Sequence, residues 1–298
     1  MSFFEGIDNR VFNRVIIYYS NMRVLDWKAY MGMVLLGFVH GLNSYIFVCS
    51  NYNVFLKIII SHAFFLAFTF SINNCFDIRS DERQEEKRRK NPLASGHITL
   101  KEGLIQSFLL GSIGLGVTFI WFNEESFLIY SFLLFLSLAY SVPPLRFKSV
   151  PIIDLISHGL FFGTLLFQYG LLVAGSMALE FFPISISIFI CSIIFELRNQ
   201  LDDIQADKSS GTRTTACWLG PIKTRELLRR LLILHWFTLL LILWLNDYKI
   251  ALAASGIILT LSVLLWRDFK RCVKLTDVFT AFVYSYSALM HLIPLLIA

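Results

Sequence analysis

Long apolar runs dominate the 298-residue chain, and their lengths predict helices that cross a membrane. Nine runs approach the roughly 18–20 residues that span a bilayer. They cover residues 30–50, 54–74, 103–122, 125–142, 152–175, 179–197, 227–245, 249–266 and 277–297. Backbone groups in lipid must be hydrogen-bonded internally, and no run shows the alternation of a barrel strand. The pattern therefore predicts an all-α integral membrane protein with nine transmembrane helices.

The composition agrees with a single membrane domain over residues 1–298. Hydrophobic residues make up 56% of the chain and charged residues only 16%, whereas soluble domains carry about a quarter charged residues. Residues 1–29 place Ile7, Val11 and Val15 at helical spacing, which predicts an amphipathic helix on the membrane surface and no signal peptide. The five cysteines show no paired spacing, so we expect reduced packing residues.

Positive charge is divided unevenly between the two sides of the predicted bundle. Of the 26 Lys and Arg residues, 24 fall on the side of the N-terminus, and only Lys57 and Lys249 fall on the other. The positive-inside rule therefore predicts a cytoplasmic N-terminus and a C-terminus on the opposite side. The basic loops are also rich in Asp and Glu, so the expected partner is the lipid bilayer and not a nucleic acid.

Two long charged loops, residues 75–102 and 198–226, stand out from the apolar background. Each overlaps a set of one Asn and two Asp residues that are spaced four positions apart. The two sets, offset by 126 residues, are Asn73, Asp77, Asp81 and Asn199, Asp203, Asp207. A four-residue spacing places each set on one helix face. The repeat predicts a duplicated helical unit whose motifs form the two halves of one site at the cytoplasmic face.

The motifs present carboxylate and amide oxygens, the ligands that Mg²⁺ prefers alongside substrate phosphates. Four aspartates carry −4 and a diphosphate adds about −3, so the site would repel its substrate without cations. We therefore predict two Mg²⁺ ions at the four aspartates, with Asn73 and Asn199 beside them. Helix capping is the alternative for a single motif. Four carboxylates in membrane segments cost about 2.5–3.5 kcal/mol each, which favours a functional cavity.

Basic residues in the cytoplasmic loops are candidates to stabilise a leaving diphosphate, with a solvated surface charge as the alternative for each. In residues 140–148, Pro143 and Pro144 stiffen the turn that carries Arg146 and Lys148. Lys148 and Asp154 are predicted to be catalytic, Asp154 by orienting an acceptor or a loop cation; a structural cap is the alternative. The further candidates for diphosphate contact are Asn73, Arg79, Lys87, Arg88, Arg89, Lys90, Asn199, Lys208, Arg213 and the Tyr140 hydroxyl.

These motifs resemble the UbiA superfamily of intramembrane prenyltransferases. The matching stretches are Asn73-Asn74-Cys-Phe-Asp77-Ile-Arg-Ser-Asp81, Asn199-Gln-Leu-Asp-Asp203-Ile-Gln-Ala-Asp207, Lys90-Asn-Pro-Leu-Ala-Ser-Gly96 and Tyr140-Ser-Val-Pro-Pro-Leu-Arg-Phe-Lys148. Asn74 departs from the family, where an acidic residue is usual, and Val24 follows Arg23 in place of proline. The resemblance covers nearly the whole chain. It implies nine helices around a central cavity with cytoplasmic cap loops, and it adds Arg23 to the diphosphate contacts.

The predicted function is Mg²⁺-dependent transfer of a prenyl group from a prenyl diphosphate to a lipophilic acceptor. The cavity would exclude water that otherwise quenches the allylic cation. An aromatic or quinone-precursor acceptor is expected, with a non-aromatic lipid or carotenoid as the alternative. A terpene cyclase would use the same ionisation without an acceptor. A Mg²⁺ or anion transporter is the non-enzyme alternative, disfavoured because both motifs lie on one side of the membrane.

Overall fold

A computed structural model describes residues 13–43, 51–176, 181–264 and 267–297, and within these ranges the chain forms helices and no strands. The predicted all-α class is confirmed. The helices are α1 (residues 13–21), α2 (Lys28–Gly41), α3 (Asn51–Asp81), α4 (Glu85–Lys90), α5 (Leu100–Trp121), α6 (Glu124–Ser141), α7 (Ile153–Val173), α8 (Phe182–Ser210), α9 (Thr215–Leu245), α10 (Lys249–Leu264) and α11 (Phe269–Ile297). Every predicted apolar run overlaps one of them.

Six of the described helices, α3, α5, α7, α8, α9 and α11, are long and apolar enough to cross a bilayer. The others on predicted runs are less suited: α2 has 14 residues, α10 has 16, and α6 begins with two glutamates. An integral membrane protein is therefore supported, while nine crossings stay a prediction. Part of the first run, residues 44–50, lies outside the described residues.

The N-terminal segment is helical where it is described, over residues 13–21, whereas Ile7 and Val11 lie outside the described residues. Val15 is exposed on this helix. The end of α1 is anchored to the membrane helices through Asn21, whose amide donates to Gln106 Oε1 at 2.8 Å. The segment thus ends at a fixed point beside α3 and α5.

The turn after α8 is set by two local features of the sequence. Gly211 has φ 77°, the left-handed conformation that commonly terminates a helix and that glycine adopts without a steric penalty. Thr214 then caps α9, with its hydroxyl accepting a hydrogen bond from the Cys217 amide. The chain therefore reverses within a few residues and returns beside the end of α8.

Close packing fixes α7 against α2. A side chain at Gly37 would overlap the Phe167 carbonyl, and one at Gly170 would overlap the Val34 carbonyl. Small residues of this kind let transmembrane helix backbones approach closely. A π-helical segment, Leu160–Thr164, then interrupts α7. Such segments occur often at functional sites, and this one carries Phe162.

Candidate functional site

The last turns of α3 and α8 bring the two predicted motifs together. They meet at the same end of the bundle, where the Arg83 guanidinium donates to the Ser209 carbonyl. All six motif residues line a group of three adjoining polar spaces, which we call the outer, middle and inner chambers. Their volumes are about 380, 180 and 120 Å³ respectively.

The outer and middle chambers are rich in charged groups, and the inner chamber is rich in aromatic ones. Lining the outer chamber are Arg23, Asn73, Asp77, Asp81, Lys87, Lys90, Asn199, Asp202 and Asp203. The middle chamber shares several of these residues and adds Tyr140, Arg146, Lys148, Glu196, Gln200 and Asp207. The inner chamber is lined chiefly by Tyr30, Phe70, Tyr140, His158, Phe162 and Glu196.

Lys148 contacts the first two residues of the first motif. Its ammonium donates to Asn73 Oδ1 at 2.7 Å and to Asp77 Oδ1 at 2.5 Å. The side chain is only 12% exposed. Burial lowers the pKa of Lys148 from its usual value, although the neighbouring Asp77 carboxylate opposes that shift. Arg146 lies farther from the same carboxylate, at 3.4 Å.

The loop that carries these two cations has an unusual backbone. The Pro143–Pro144 peptide is cis, and Arg146 and Ile152 adopt positive φ values of 34° and 71°. The Ile152 amide donates to Thr215 Oγ1 at 2.6 Å, which ties the end of the loop to the start of α9. Positive φ in non-glycine residues is uncommon and persists where surrounding contacts fix it.

Asp81, the last residue of the first motif, is held by the loop that follows α4. Asn91 Nδ2 donates to Asp81 Oδ2 at 2.9 Å and to the Asn74 carbonyl at 3.0 Å. Asn91 Oδ1 in turn accepts from the Leu93 amide at 3.0 Å. The stretch 90–96, singled out by its resemblance, therefore folds back onto the end of α3.

The second motif has different partners. Lys87 Nζ, from α4, lies 2.8 Å from Asp203 Oδ2. The Thr214 hydroxyl donates to Asp207 Oδ2 at 3.3 Å. Asn199 lines all three chambers.

Asn74 and the Arg23–Val24 pair, where the chain departs from the family pattern, are connected through the N-terminal segment. Asn74 is buried, and its amide donates to the carbonyl and side-chain oxygens of Asn21 at 3.1 and 3.0 Å. It therefore anchors α1 and does not line the chambers. Arg23 follows at φ 52°, pairs with Asp26 at 2.8 Å and lies 5.4 Å from the centre of the Phe70 ring.

Asp154 is buried and fully hydrogen-bonded within the protein. Its Oδ2 accepts from the Thr215 amide at 2.6 Å and from Gln200 Nε2 at 2.9 Å. Its Oδ1 accepts from the Thr215 hydroxyl and from the Leu155 amide. The residue lines none of the three chambers. Its hydrogen bonds connect α7, α8 and α9 around the site.

The remaining predicted cations divide into two groups. Lys90 lines the outer chamber and also pairs with Glu86 at 3.4 Å. The second group, Arg79, Arg88, Arg89, Lys208 and Arg213, is exposed and lines none of the three chambers. The structure therefore brings together every predicted site residue except these five and Asp154.

Sequence reasoning missed Glu196, which lines the middle and inner chambers. Its Oε1 accepts from Tyr140 Oη at 3.1 Å and from Gln200 Nε2 at 3.1 Å, and its Oε2 lies 3.5 Å from His158 Nε2. The sequence does mark this residue, because a carboxylate inside an apolar span is costly and usually indicates a functional site.

The donor set fits Mg²⁺ that shares its ligands with a diphosphate. Among the described residues, no three His, Cys, Asp or Glu side chains are arranged to hold a metal by themselves. The outer and middle chambers are lined by five Lys or Arg and six Asp or Glu side chains, which leaves a net charge near −1. A diphosphate would add about −3, and two Mg²⁺ ions would balance the total.

Fold and site define an all-helical membrane protein with a carboxylate- and cation-lined cavity between two repeated helix ends. The sequence profile of the UbiA prenyltransferase family matches residues 30–287, so the chain belongs to this family. The predicted resemblance is confirmed.

Curated relatives are similar over part of their length. A lycopene elongase/hydratase of Haloferax volcanii is 27% identical over 53% of this chain and 50% of that protein. A probable chloroplastic homogentisate phytyltransferase of Oryza sativa is 22% identical over 67% of this chain and 48% of that protein. The chain spans about half the length of the curated relatives it matches.

Solved structures extend the likeness to the whole fold. A UbiA homologue from Archaeoglobus fulgidus, determined with DMAPP and Mg²⁺, superposes with a TM-score of 0.70 at 21% identity and covers 90% of this chain and 98% of that one. A UbiA homologue from Aeropyrum pernix superposes with a TM-score of 0.64 at 14% identity, over 87% and 96% of the two chains. At these identities the likeness establishes the fold.

Proposed function

We propose that the protein transfers a prenyl group from a prenyl diphosphate to a lipophilic acceptor within the membrane, in a Mg²⁺-dependent reaction. The observation that carries this proposal is the convergence of both motifs with Lys148, Arg146 and Lys87 above an aromatic chamber. The Archaeoglobus homologue that shares this fold binds DMAPP or GPP with Mg²⁺, which supports the same donor class here.

Each part of the cavity has its own task in this proposal. Asp77, Asp81, Asp203 and Asp207 hold two Mg²⁺ ions, with Asn73 and Asn199 beside them. Bound Mg²⁺ neutralises the charge on the diphosphate oxygens. Lys148, Arg146 and Lys87 are positioned to stabilise the charge that develops on the leaving diphosphate, as preorganised cations do in a water-poor site.

The inner chamber would hold the first carbons of the prenyl chain. Its walls include Tyr30, Phe70 and Phe162, and the Phe162 ring lies 4.3 Å from that of Tyr30 between centroids. Aromatic faces attract a cation and exclude water that would capture it. Attack by the acceptor then completes the transfer.

The acceptor is proposed to be an aromatic ring of a quinone precursor. A carotenoid is the second candidate, because curated relatives include a lycopene elongase/hydratase as well as a homogentisate phytyltransferase. We further propose nine crossings and a site at the cytoplasmic face, supported by the charge asymmetry of the sequence.

Incubation of the purified full-length protein in lipid nanodiscs with labelled prenyl diphosphates tests the proposal. Geranyl and geranylgeranyl diphosphate are offered with homogentisate, with lycopene or with no acceptor, and diphosphate and lipid products are measured. We expect Mg²⁺-dependent diphosphate release and one prenylated product. A cyclic product formed without acceptor would replace the proposal with a cyclase, and absence of metal-dependent donor binding at any chain length would refute it.

A further inference from the structure

Glu196 is a carboxylate of α8 to which the proposed reaction assigns no task. We propose that Glu196 faces the allylic carbons of the donor and stabilises the cation that forms when the diphosphate leaves. This role rests on the proposed function and adds a catalytic residue outside the two aspartate motifs.

Its place along α8 matches the path of the donor. Glu196 precedes Asn199 by three residues and Asp203 by seven, so it lies about 4.5 Å and about 10 Å deeper along the helix axis. A diphosphate held at Asp203 would direct its first carbons past Asn199 and towards Glu196. Glu196 lines both the middle and inner chambers, which is where those carbons would lie.

The composition of the inner chamber makes this charge effective. Among the described residues that line it, Glu196 is the only acid. The wall includes Phe70 and Phe162, with ring centroids 6.3 Å apart, and Tyr30. In a water-poor space of this kind one negative charge acts on a nearby cation much more strongly than in water.

The repeat pairs the acid with an aromatic ring. The residue 126 positions before Glu196 is Phe70, and both line the inner chamber. A cation held in this chamber would have both an aromatic ring and a carboxylate on its walls. The two repeated positions therefore supply different chemistry to the same chamber.

Hydrogen bonds keep the carboxylate from capturing the cation. Oε1 accepts from Tyr140 and Gln200, and Oε2 lies beside His158. Both Tyr140 and Gln200 are donors that an ionised carboxylate accepts from. In the reaction, the bond between C1 and the diphosphate oxygen breaks and its electron pair leaves with the diphosphate. The positive charge spreads over C1 and C3 until the acceptor ring supplies the electron pair of the new carbon–carbon bond at C1. The ring carbon that forms this bond then releases its proton to solvent, and the electron pair of the broken C–H bond restores the aromatic ring.

Two binding probes separate this role from donor binding. The first is geranyl thiolodiphosphate with Mg²⁺, which resembles the donor but ionises poorly. The second is a protonated amine analogue of the geranyl cation, added with Mg²⁺ and inorganic diphosphate. Both are titrated against full-length protein in nanodiscs, as wild type, Glu196→Gln and the control Glu226→Gln, whose side chain is exposed on α9.

We expect Glu196→Gln to weaken binding of the amine about tenfold or more, because a full charge is removed from a water-poor chamber. Binding of the thiolodiphosphate should change less than about threefold, and Glu226→Gln should change neither. Equal affinity of wild type and Glu196→Gln for the amine would overturn the proposal, as would equal weakening of both probes.

A third variant keeps the test decisive if glutamine does not fold at this position. Glu196→Asp retains the charge but withdraws it by one methylene, so amine binding should weaken while thiolodiphosphate binding is kept; unchanged amine binding would overturn the proposal. Wild-type protein that fails to bind the thiolodiphosphate with Mg²⁺ would instead refute the proposed function.

Discussion

The two aspartate motifs share their spacing but differ in their surroundings. In the first, Asp77 contacts Lys148, whose side chain is only 12% exposed, and Asp81 is buried. In the second, Asp203 contacts Lys87, whose side chain is 38% exposed. The spacing of the carboxylates is therefore the same in the two helices, while their partners differ. The first motif is fixed by its surroundings and the second is the more accessible half.

The halves are also interdependent. Lys87 belongs to the loop after the first motif, yet it pairs with Asp203 of the second. The second motif thus takes a partner from the loop that follows the first. A site that uses both motifs would require both helices at once, and this makes the comparison between the motifs testable by matched substitutions.

Alanine at the central aspartates should have the largest effect. Asp77→Ala and Asp203→Ala should each lower turnover by about 10²–10³-fold, the usual cost of losing a preorganised charge-stabilising group. Only Asp77→Ala should also lower the melting temperature clearly, because it leaves the Lys148 ammonium buried without its carboxylate. Turnover and thermal unfolding in nanodiscs measure both, with Glu226→Ala as the control. Equal melting temperatures for the two aspartate variants would contradict the proposed difference between the motifs.

Replacing the paired lysines should sharpen the same contrast. Lys148→Met should weaken binding of a prenyl thiolodiphosphate about 10–100-fold, whereas Lys87→Met should weaken it less than about tenfold, since charge pairs near solvent contribute little. Titration at fixed Mg²⁺ measures both constants. Lys101→Met, on an exposed position of α5, is the matched control. A stronger effect of Lys87→Met would mean that the second motif, and not the first, is the one fixed by its surroundings.

Asp154→Asn should have a moderate effect that acts through stability. Amide replacement changes the acceptor of four hydrogen bonds, so we expect the free energy of unfolding to fall by about 1.5–3 kcal/mol. Thr215→Val should produce a smaller loss, since valine keeps the backbone amide bond to Asp154 and removes only the bonds that the hydroxyl makes to Asp154 and to the Ile152 amide. Denaturant unfolding measures the stability of each variant, and a turnover assay measures its activity. A large fall in turnover with unchanged stability would support the catalytic role predicted from the sequence.

Substitution of the outlying cations should have the smallest effect. Arg79→Ala and Lys208→Ala should leave donor affinity and turnover within about twofold, as expected for surface positions away from the cavity. The measurement is the same titration used for the lysine variants. A tenfold loss in either would restore the diphosphate contact predicted from the sequence.

Helical periodicity explains what the sequence could predict. The six motif residues follow a four-residue spacing, and this spacing alone is enough to place each set on one helix face. The same rule argues against Arg79, two residues from Asp77, and against Lys208, directly after Asp207. Glu196 lies three residues before Asn199, on the favoured face, and was overlooked because it stands outside the repeated pattern.

Contacts between distant segments could not be predicted in this way. Lys87 and Asp203 are separated by 116 positions, and their pairing depends on how α4 lies across the end of α8. Likewise the sequence marks Asn74 as a departure from the family pattern but gives no indication that it bonds Asn21. Such pairs follow from helix packing, which no local spacing encodes.

The backbone of Arg146 carries a consequence for the stability of its loop. At φ 34° it lies in a conformation that costs most residues about 1–2 kcal/mol and costs glycine almost nothing. Glycine would therefore ease folding of the loop, yet it would remove a cation from the middle chamber. Stability of the loop and the proposed contact with the diphosphate therefore place opposite demands on this position. The arginine combines a cation that lines the middle chamber with a backbone conformation that glycine adopts more readily.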